Sequence, residues 1–277
     1  MIETMVDQLL HRWLRIPYTL NVHYHRKPKN PRATVLFIHG LGNSGDAWRD
    51  VISKLPRDIQ IISIDLLGFG RSPRPSWALY DAKTQANSVL ATYLKLRLTS
   101  QVIVVGHSMG SLVAIEMAKR YPLLINSLIL CSPPLYDSTT SNTLLPKSDR
   151  LLRELYMAVQ QRPDDFVRLS AFAMKYNLVN KSFHVTTDTI ASYMAALKAS
   201  IVNQTSYADA YTVTVPTTII RGSLDPFVVT RNLKRLAKTN SNIQMKSVIA
   251  GHEIKGLFVP AVVATITTHL PTKTNDT

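Results

Sequence analysis

The chain has 277 residues, of which 45% are hydrophobic and 18% charged. These values are typical of one large globular domain, or of one domain with an insertion. Its formal net charge is +14, but no dense Lys/Arg block with interleaved aromatic residues occurs, which argues against a nucleic-acid partner. A single cysteine, Cys131, excludes an intramolecular disulfide framework and any multi-cysteine metal site.

Short apolar runs recur along the chain, and most of them end at a glycine or a polar residue. After a predicted edge strand at 18–25, such runs occupy residues 35–38, 59–64, 102–105, 128–130, 217–220 and 243–249. Helical patterns lie between them, for example at 84–96 and 112–120. This alternation predicts a doubly wound α/β fold with a mostly parallel sheet, whose strands carry ligand-binding residues at one edge.

Residues 134–215 interrupt the alternation of strands and helices. No strand-like run occurs in this segment, but amphipathic helical patterns occupy residues 151–159, 166–176 and 190–201. A helical insertion between two strands would lie over the carboxyl edge of the sheet. We therefore predict a core domain of residues 1–133 and 216–277, with an all-helical cap of residues 134–215 inserted after the sixth strand.

The motif Gly106-His107-Ser108-Met109-Gly110 directly follows an apolar strand and directly precedes a helix. In this context G-x-S-x-G predicts a tight turn that accepts only small neighbours and lifts the serine hydroxyl clear of the sheet. The helix that follows would stabilise negative charge developing near its N-terminus. Ser108 is therefore a candidate nucleophile.

With this turn in place, the chain resembles the α/β-hydrolase family over nearly all of residues 15–270. The segment 39–42, HGLG, is similar to the family's oxyanion loop, and the segment 65–72, DLLGFGRS, is similar to its D-x-x-G-x-G-x-S turn. Residues 222–225, GSLD, and the pair 251–252, GH, stand where the family keeps its catalytic acid and base.

The resemblance implies a catalytic triad of Ser108, His252 and Asp225, in the family's chain order. It also implies an oxyanion hole made by the backbone N–H groups of Leu41 and Met109. Position 108 is a serine, which disfavours the dehalogenases and epoxide hydrolases of this fold, because they use an aspartate nucleophile.

The other titratable residues leave alternatives for the acid but few for the base. Asp137 is the rival acid, since some relatives keep the carboxylate after the preceding strand. His39 is expected to make a structural hydrogen bond, and His107 is expected to point away from the serine hydroxyl. The pair His23 and His25 shares one face of the edge strand, and we assign no metal to it.

A hydrolase of a carboxylic ester is the function that these residues favour. The predicted cap is nearly neutral and rich in Leu, Phe, Tyr and Met, which suits a small to medium apolar substrate. Two alternatives stay open: a carbon–carbon bond hydrolase of the same fold, and a small-molecule receptor that retains the triad. The sequence contains no dinucleotide-binding loop and no P-loop lysine, so we expect no cofactor.

The N-terminal segment forms an amphipathic helical pattern with a continuous apolar stripe. Its members are Ile2, Met5, Val6, Leu9, Leu10 and Trp13. We expect this stripe to pack on the domain, and contact with a membrane is the alternative. The segment lacks the order of a secretory signal, so we expect a cytoplasmic protein, either a monomer or a dimer.

Overall fold

The structure is a computed structural model that describes residues 5–98, 100–136, 154, 156–176 and 178–272. Its centre is a seven-stranded sheet with the order β1-β3-β2-β4-β5-β6-β7. The antiparallel edge strand β1 pairs with β3, and the other neighbours run parallel. The strands are β1 (Val22–Arg26), β2 (Thr34–Ile38), β3 (Gln60–Ile64), β4 (Val102–His107), β5 (Ile125–Cys131), β6 (Thr217–Gly222) and β7 (Ile243–Val248).

Helices cover both faces of the sheet. The α-helices whose bounds the structure describes are α1 (Met5–Asp7), α2 (Arg49–Ile52), α3 (Ala82–Lys95), α4 (Met109–Arg120), α5 (Pro163–Lys175), α6 (Ile190–Ala196), α7 (Ser206–Ala210), α8 (Thr230–Thr239) and α9 (Phe258–His269). Two π-helical turns, Gln8–Trp13 and Leu197–Val202, continue α1 and α6. The predicted doubly wound α/β fold is confirmed.

The alternation of side chains along each inner strand produces two hydrophobic cores. Within β2, Phe37 belongs to the core on one face, together with Trp48 and with Phe258 of α9. Leu36, the preceding residue, belongs to the core on the opposite face, together with Leu112 of α4. Because every residue of β2 is buried, an unbroken apolar run is required there, as the sequence pattern indicated.

The segment 134–215 follows the strand predicted at 128–130, which is β5 of the structure and not a sixth strand. Residues 5–13 are helical, and β1 is the first strand in the described part of the chain. The second and third helical patterns predicted for the segment correspond to α5 and to α6 with its π-helical continuation. The first pattern is helical over its described part at 156–161, and residues 137–153 lie outside the described residues.

The N-terminal helix consists of α1 and the π-helical turn Gln8–Trp13. None of its described residues is buried, and its apolar stripe is largely exposed instead of packed against the core. Within the described ranges, every helix is too short or too polar to cross a lipid bilayer.

Candidate active site

Ser108 occupies the turn between β4 and α4 in a backbone conformation that is rare for residues with a side chain. Its φ is 51° and its ψ is −120°, and its N–H donates to the carbonyl of Cys131 at 2.9 Å. A Cβ at Gly110 would lie 2.4 Å from the carbonyl oxygen of Ile38, so the turn can close only around a glycine. Backbone strain of this kind typically costs about 1–3 kcal/mol and is concentrated at functional sites.

Asp225 and His252 form a hydrogen-bonded pair at the carboxyl ends of β6 and β7. His252 Nδ1 lies 2.8 Å from Asp225 Oδ2, and the Asp225 side chain is fully buried. Its second oxygen accepts the backbone N–H of Phe227 at 2.9 Å. Burial raises the pKa of Asp225, but its hydrogen bonds from His252 and Phe227 help to hold that pKa below its ordinary value. The ionised carboxylate therefore fixes the Nδ1–H tautomer of His252 and leaves Nε2 as a proton acceptor.

The loops that carry this pair touch each other through their backbones. Ser223 N–H donates to the carbonyl of Val248 at 2.8 Å, and Leu224 N–H donates to that of Ala250 at 3.0 Å. A Cβ at Gly222 would lie only 2.2 Å from the carbonyl oxygen of Gly251. The absence of a side chain at position 222 therefore lets the two loops approach closely, so that Asp225 and His252, which are 27 positions apart, come into contact.

His39 is a structural residue of the predicted oxyanion loop, as expected. Its Nε2 accepts the N–H of Leu66 at 2.9 Å, so its Nδ1 carries the proton and donates to the carbonyl of Gly40 at 2.7 Å. Burial lowers the pKa of His39 to about 4, against weaker raising effects of the Gly40 bond and Asp65. The ring is therefore neutral near pH 7 and fixes the loop against the turn after β3.

The two expected oxyanion donors lie on segments that adjoin Ser108. A Cβ at Gly40 would be 3.2 Å from Ser108 Cβ, so the loop that carries Leu41 runs beside the turn that carries Ser108. Met109 is the first residue of α4, and the N–H groups of a first helical turn have no acceptor within the helix. Both segments can therefore direct backbone donors toward a group bound at Ser108.

His107 has a role that sequence reasoning missed. Its Nε2 donates to the backbone carbonyl of His252 at 2.9 Å, and its ring centroid is 5.0 Å from the His252 ring. Burial, followed by the charge of His252, lowers its pKa to about 3, so the ring is neutral near pH 7. The residue before Ser108 thus ties β4 to the loop that carries His252. The sequence offers no signal for this contact, because the two positions are 145 residues apart.

The helix-rich segment contacts the predicted oxyanion loop directly. His184 N–H donates to the carbonyl of Gly42 at 2.7 Å, and Ser182 Oγ donates to Asn43 Oδ1 at 2.8 Å. Phe183, between them in the chain, is half-buried and packs against the core cluster that includes α4. Residues 182–184 therefore lie over the loop after β2, at the edge of the sheet that carries Ser108.

The histidine pair of β1 does not join this site. Asp137 lies outside the described residues. His23 faces the carboxylate of Asp65 at 3.3 Å, whereas His25 contacts the side-chain amide of Gln60 at 3.0 Å. In the part of the chain that the structure describes, no group of three or more His, Cys, Asp or Glu residues could hold a metal ion.

Curated relatives match part of this chain in sequence, and solved structures share its fold. Over 124 residues, the chain is 32% identical to a probable lysophospholipase, BODYGUARD 4 of Arabidopsis thaliana, covering 44% of this chain and 30% of that protein. Over 114 residues, it is 37% identical to the lipase LipV of Mycobacterium tuberculosis, covering 41% and 42%. The chain thus matches less than half of the length of either relative.

A solved esterase from Exiguobacterium antarcticum superimposes with a TM-score of 0.73 at 16% identity, over 92% of this chain and 99% of that one. An enol-lactonase from Burkholderia xenovorans LB400 gives a TM-score of 0.68 at 19% identity, with the same coverage. These two likenesses show the fold. The family model described as alpha/beta hydrolase fold matches residues 33–255, which is most of the chain. The chain therefore belongs to the alpha/beta hydrolase family.

Proposed function

We propose that this protein is a serine hydrolase that cleaves a carboxylic ester of a small to medium apolar substrate through an acyl-enzyme intermediate. Ser108 is the nucleophile, His252 the general base and acid, and Asp225 the carboxylate that orients the base. The observation that carries the proposal is the 2.8 Å hydrogen bond between His252 Nδ1 and Asp225 Oδ2, at the sheet edge where Ser108 is held in its strained turn.

In the acylation step, Ser108 Oγ attacks the ester carbonyl carbon while its proton passes to His252 Nε2. The carbonyl oxygen becomes an oxyanion, which the N–H groups of Leu41 and Met109 stabilise. The buried carboxylate of Asp225 stabilises the imidazolium that forms. The imidazolium then gives its proton to the alkoxide leaving group, the alcohol departs, and the acyl group remains on Ser108.

In the deacylation step, water takes the place of the alcohol. His252 Nε2 accepts a proton from this water while the water oxygen attacks the acyl carbonyl carbon. The second tetrahedral intermediate collapses with loss of Ser108 Oγ, which takes the proton back from the imidazolium. The carboxylic acid leaves, and the enzyme regains the protonation state with which it began.

The helix-rich segment is the proposed source of substrate choice. We propose that residues 134–215 form a cap over a core domain of residues 1–133 and 216–277. The contacts of residues 182–184 with Gly42 and Asn43 support a cap over the oxyanion loop. An apolar, half-buried side chain such as Phe183 at this position suits an apolar acyl or alcohol group. The names of the relatives, a lysophospholipase and a lipase, agree with an acyl ester.

A panel of aryl esters of graded acyl length, combined with labelling by a serine-directed phosphonate, tests the proposal. The wild-type chain should hydrolyse the esters, and labelling should map to Ser108. Ser108→Ala should reduce kcat by about 10³-fold or more, with a residual rate from the oxyanion donors. Ser53→Ala, which changes an exposed serine in the turn after α2, is the matched control and should leave turnover unchanged.

Two results would contradict the proposal. Ester turnover by Ser108→Ala near the wild-type rate would exclude Ser108 as the nucleophile. Phosphonate labelling of Ser108 without turnover of any ester would point instead to a receptor that retains the triad, or to cleavage of a carbon–carbon bond.

A further inference from the structure

The N-terminal helix presents an apolar surface to solvent. The outward side chains of the helix and of the residues directly after it form what we call the apolar N-terminal patch: Met5, Val6, Leu9, Trp13, Leu14 and Ile16. Met5 is 89% exposed and Trp13 is 77% exposed. Single exposed apolar residues are ordinary on protein surfaces, but a contiguous group of this kind marks an interaction site.

The inward side of the same helix is the more polar one and holds the helix in place. Asp7 and Gln8 are half-buried, and the His11 ring stacks on Tyr18 with 3.6 Å between centroids. His11 Nδ1 also donates to the carbonyl of Ile16 at 2.6 Å. The helix is therefore turned with its apolar side away from the domain, and its acidic residue Asp7 does not lie on the outward face.

Positive charge accompanies the patch. Arg12 and Arg15 are exposed on the same segment, and both line a cleft of about 420 Å³ between the helix and residues 77–88. Leu79, which is 70% exposed, continues the apolar surface on the other side of this cleft. A helix with apolar side chains on one face, flanked by arginines, is typical of segments that lie in a membrane interface.

We propose that the apolar N-terminal patch docks on the surface of an anionic lipid membrane. The apolar side chains enter the boundary between headgroups and acyl chains, with Trp13 at headgroup level, where tryptophan is enriched. Arg12 and Arg15 contact lipid phosphates, and the net charge of +14 attracts the whole protein to an anionic surface. The proposal does not depend on the reaction proposed for Ser108.

The same charges disfavour a second copy of the chain as the occupant. A symmetric contact through the patch would bring together two proteins of charge +14, each with Arg12 and Arg15 beside the contact. Like charges placed opposite each other at an interface oppose association. An anionic membrane surface offers both an apolar interior for the side chains of the patch and negative charge for Arg12 and Arg15.

Flotation of the full chain with vesicles tests the docking surface. The protein should float with phosphatidylcholine–phosphatidylglycerol vesicles at low salt and should stay unbound with pure phosphatidylcholine. The double variant Leu9→Gln/Trp13→Gln should bind at least about tenfold more weakly, because it removes apolar side-chain area that would be buried in the membrane. Arg12→Gln and Arg15→Gln should each weaken binding about fivefold, an effect that high salt should mask. Leu123→Gln, an exposed apolar residue before β5, is the matched control and should bind like the wild type.

Several results would overturn the proposal. One is failure of the wild-type chain to float with anionic vesicles, and another is equal binding by the double variant and the control. A chain that sediments as a dimer, becomes monomeric in the double variant and ignores vesicles would assign the patch to a second copy. A double variant with a lower melting temperature and unchanged vesicle binding would show that the patch covers the protein's own body.

Discussion

Exchanging the carboxylate of Asp225 for an amide should abolish turnover while leaving the fold nearly intact. The buried carboxylate accepts two hydrogen bonds, one from His252 Nδ1 and one from the backbone N–H of Phe227. In Asp225→Asn, the amide oxygen can still accept the bond from Phe227, but the amide nitrogen can only donate toward His252. The imidazole must then accept at Nδ1 and carry its proton on Nε2, where it cannot take the proton of Ser108.

The loss of turnover in Asp225→Asn follows from the tautomer of His252, and the loss of stability follows from the hydrogen-bond donors that each substitution leaves unpaired. The wrong tautomer should cost about 10⁴-fold in kcat, the loss typical of serine triads, which corresponds to about 5.4 kcal/mol of activation free energy. Because both hydrogen bonds of the site can be kept, the free energy of unfolding of Asp225→Asn should fall by no more than about 1 kcal/mol. Asp225→Ala leaves two buried donors without an acceptor and should lose about 2–6 kcal/mol of stability.

Turnover of an activated aryl ester, measured together with urea unfolding, separates these effects. Asp58→Asn is the matched control, since Asp58 is a partly exposed carboxylate paired with Arg32 at 3.2 Å before β3, and it should keep full activity. Asp137→Asn tests the rival acid. If Asp225→Asn stays within tenfold of the wild-type kcat while Asp137→Asn loses activity, the orienting role assigned to Asp225 is wrong.

Two further predictions concern stability. The unfolded chain takes up protons on histidine below about pH 6.5, but folded His39 and His107 stay neutral down to pKa values of about 4 and 3, so acid destabilises the protein. For each ring, the free energy of unfolding measured in urea should be about 1.6 kcal/mol lower at pH 5 than at pH 6.5. His107→Asn should remove the part that His107 contributes, and equal free energies of unfolding at the two pH values would contradict this reasoning. Gly222→Ala should lower the free energy of unfolding by about 1–3 kcal/mol and reduce turnover, because its Cβ meets backbone, whereas Gly251→Ala enters open space and should change little. Equal melting curves for the two glycine variants would show that the contact can relax.

The fold was readable from the sequence because each inner strand needs an unbroken apolar run. Every residue of β2 and of β3 is buried, and both strands lie within two residues of the limits that the pattern predicts. The strand before the helix-rich segment was predicted as the sixth strand, whereas it is the fifth strand that the structure describes. Periodicity locates a strand in the sequence but does not fix its number in the sheet. The apolar stripe of the N-terminal helix was expected to pack inward, since periodicity identifies a face but not what lies against it.

The candidate site was predictable where motifs are local and unpredictable where contacts are long-range. Ser108 is proposed as the nucleophile on the basis of its own five-residue turn, and the loops of Gly222 and Gly251 carry the proposed acid and base. The bond from His107 to the His252 carbonyl and the bond from His184 to Gly42 depend on how loops meet at the sheet edge. No spacing in the sequence reports such backbone contacts.

The position of β7 at the margin of the sheet has a consequence for how the protein loses activity. Among the described strands, β7 pairs only with β6, whereas β4, which leads into Ser108, lies between β2 and β5. Marginal strands detach with less free energy than central ones, in partial openings that leave the centre of a domain folded. Detachment of β7 would carry His252 away from Asp225 while Ser108 kept its turn. On rising denaturant, inactivation should therefore precede the loss of the sheet, so that residual activity reports on one strand and not on the whole domain.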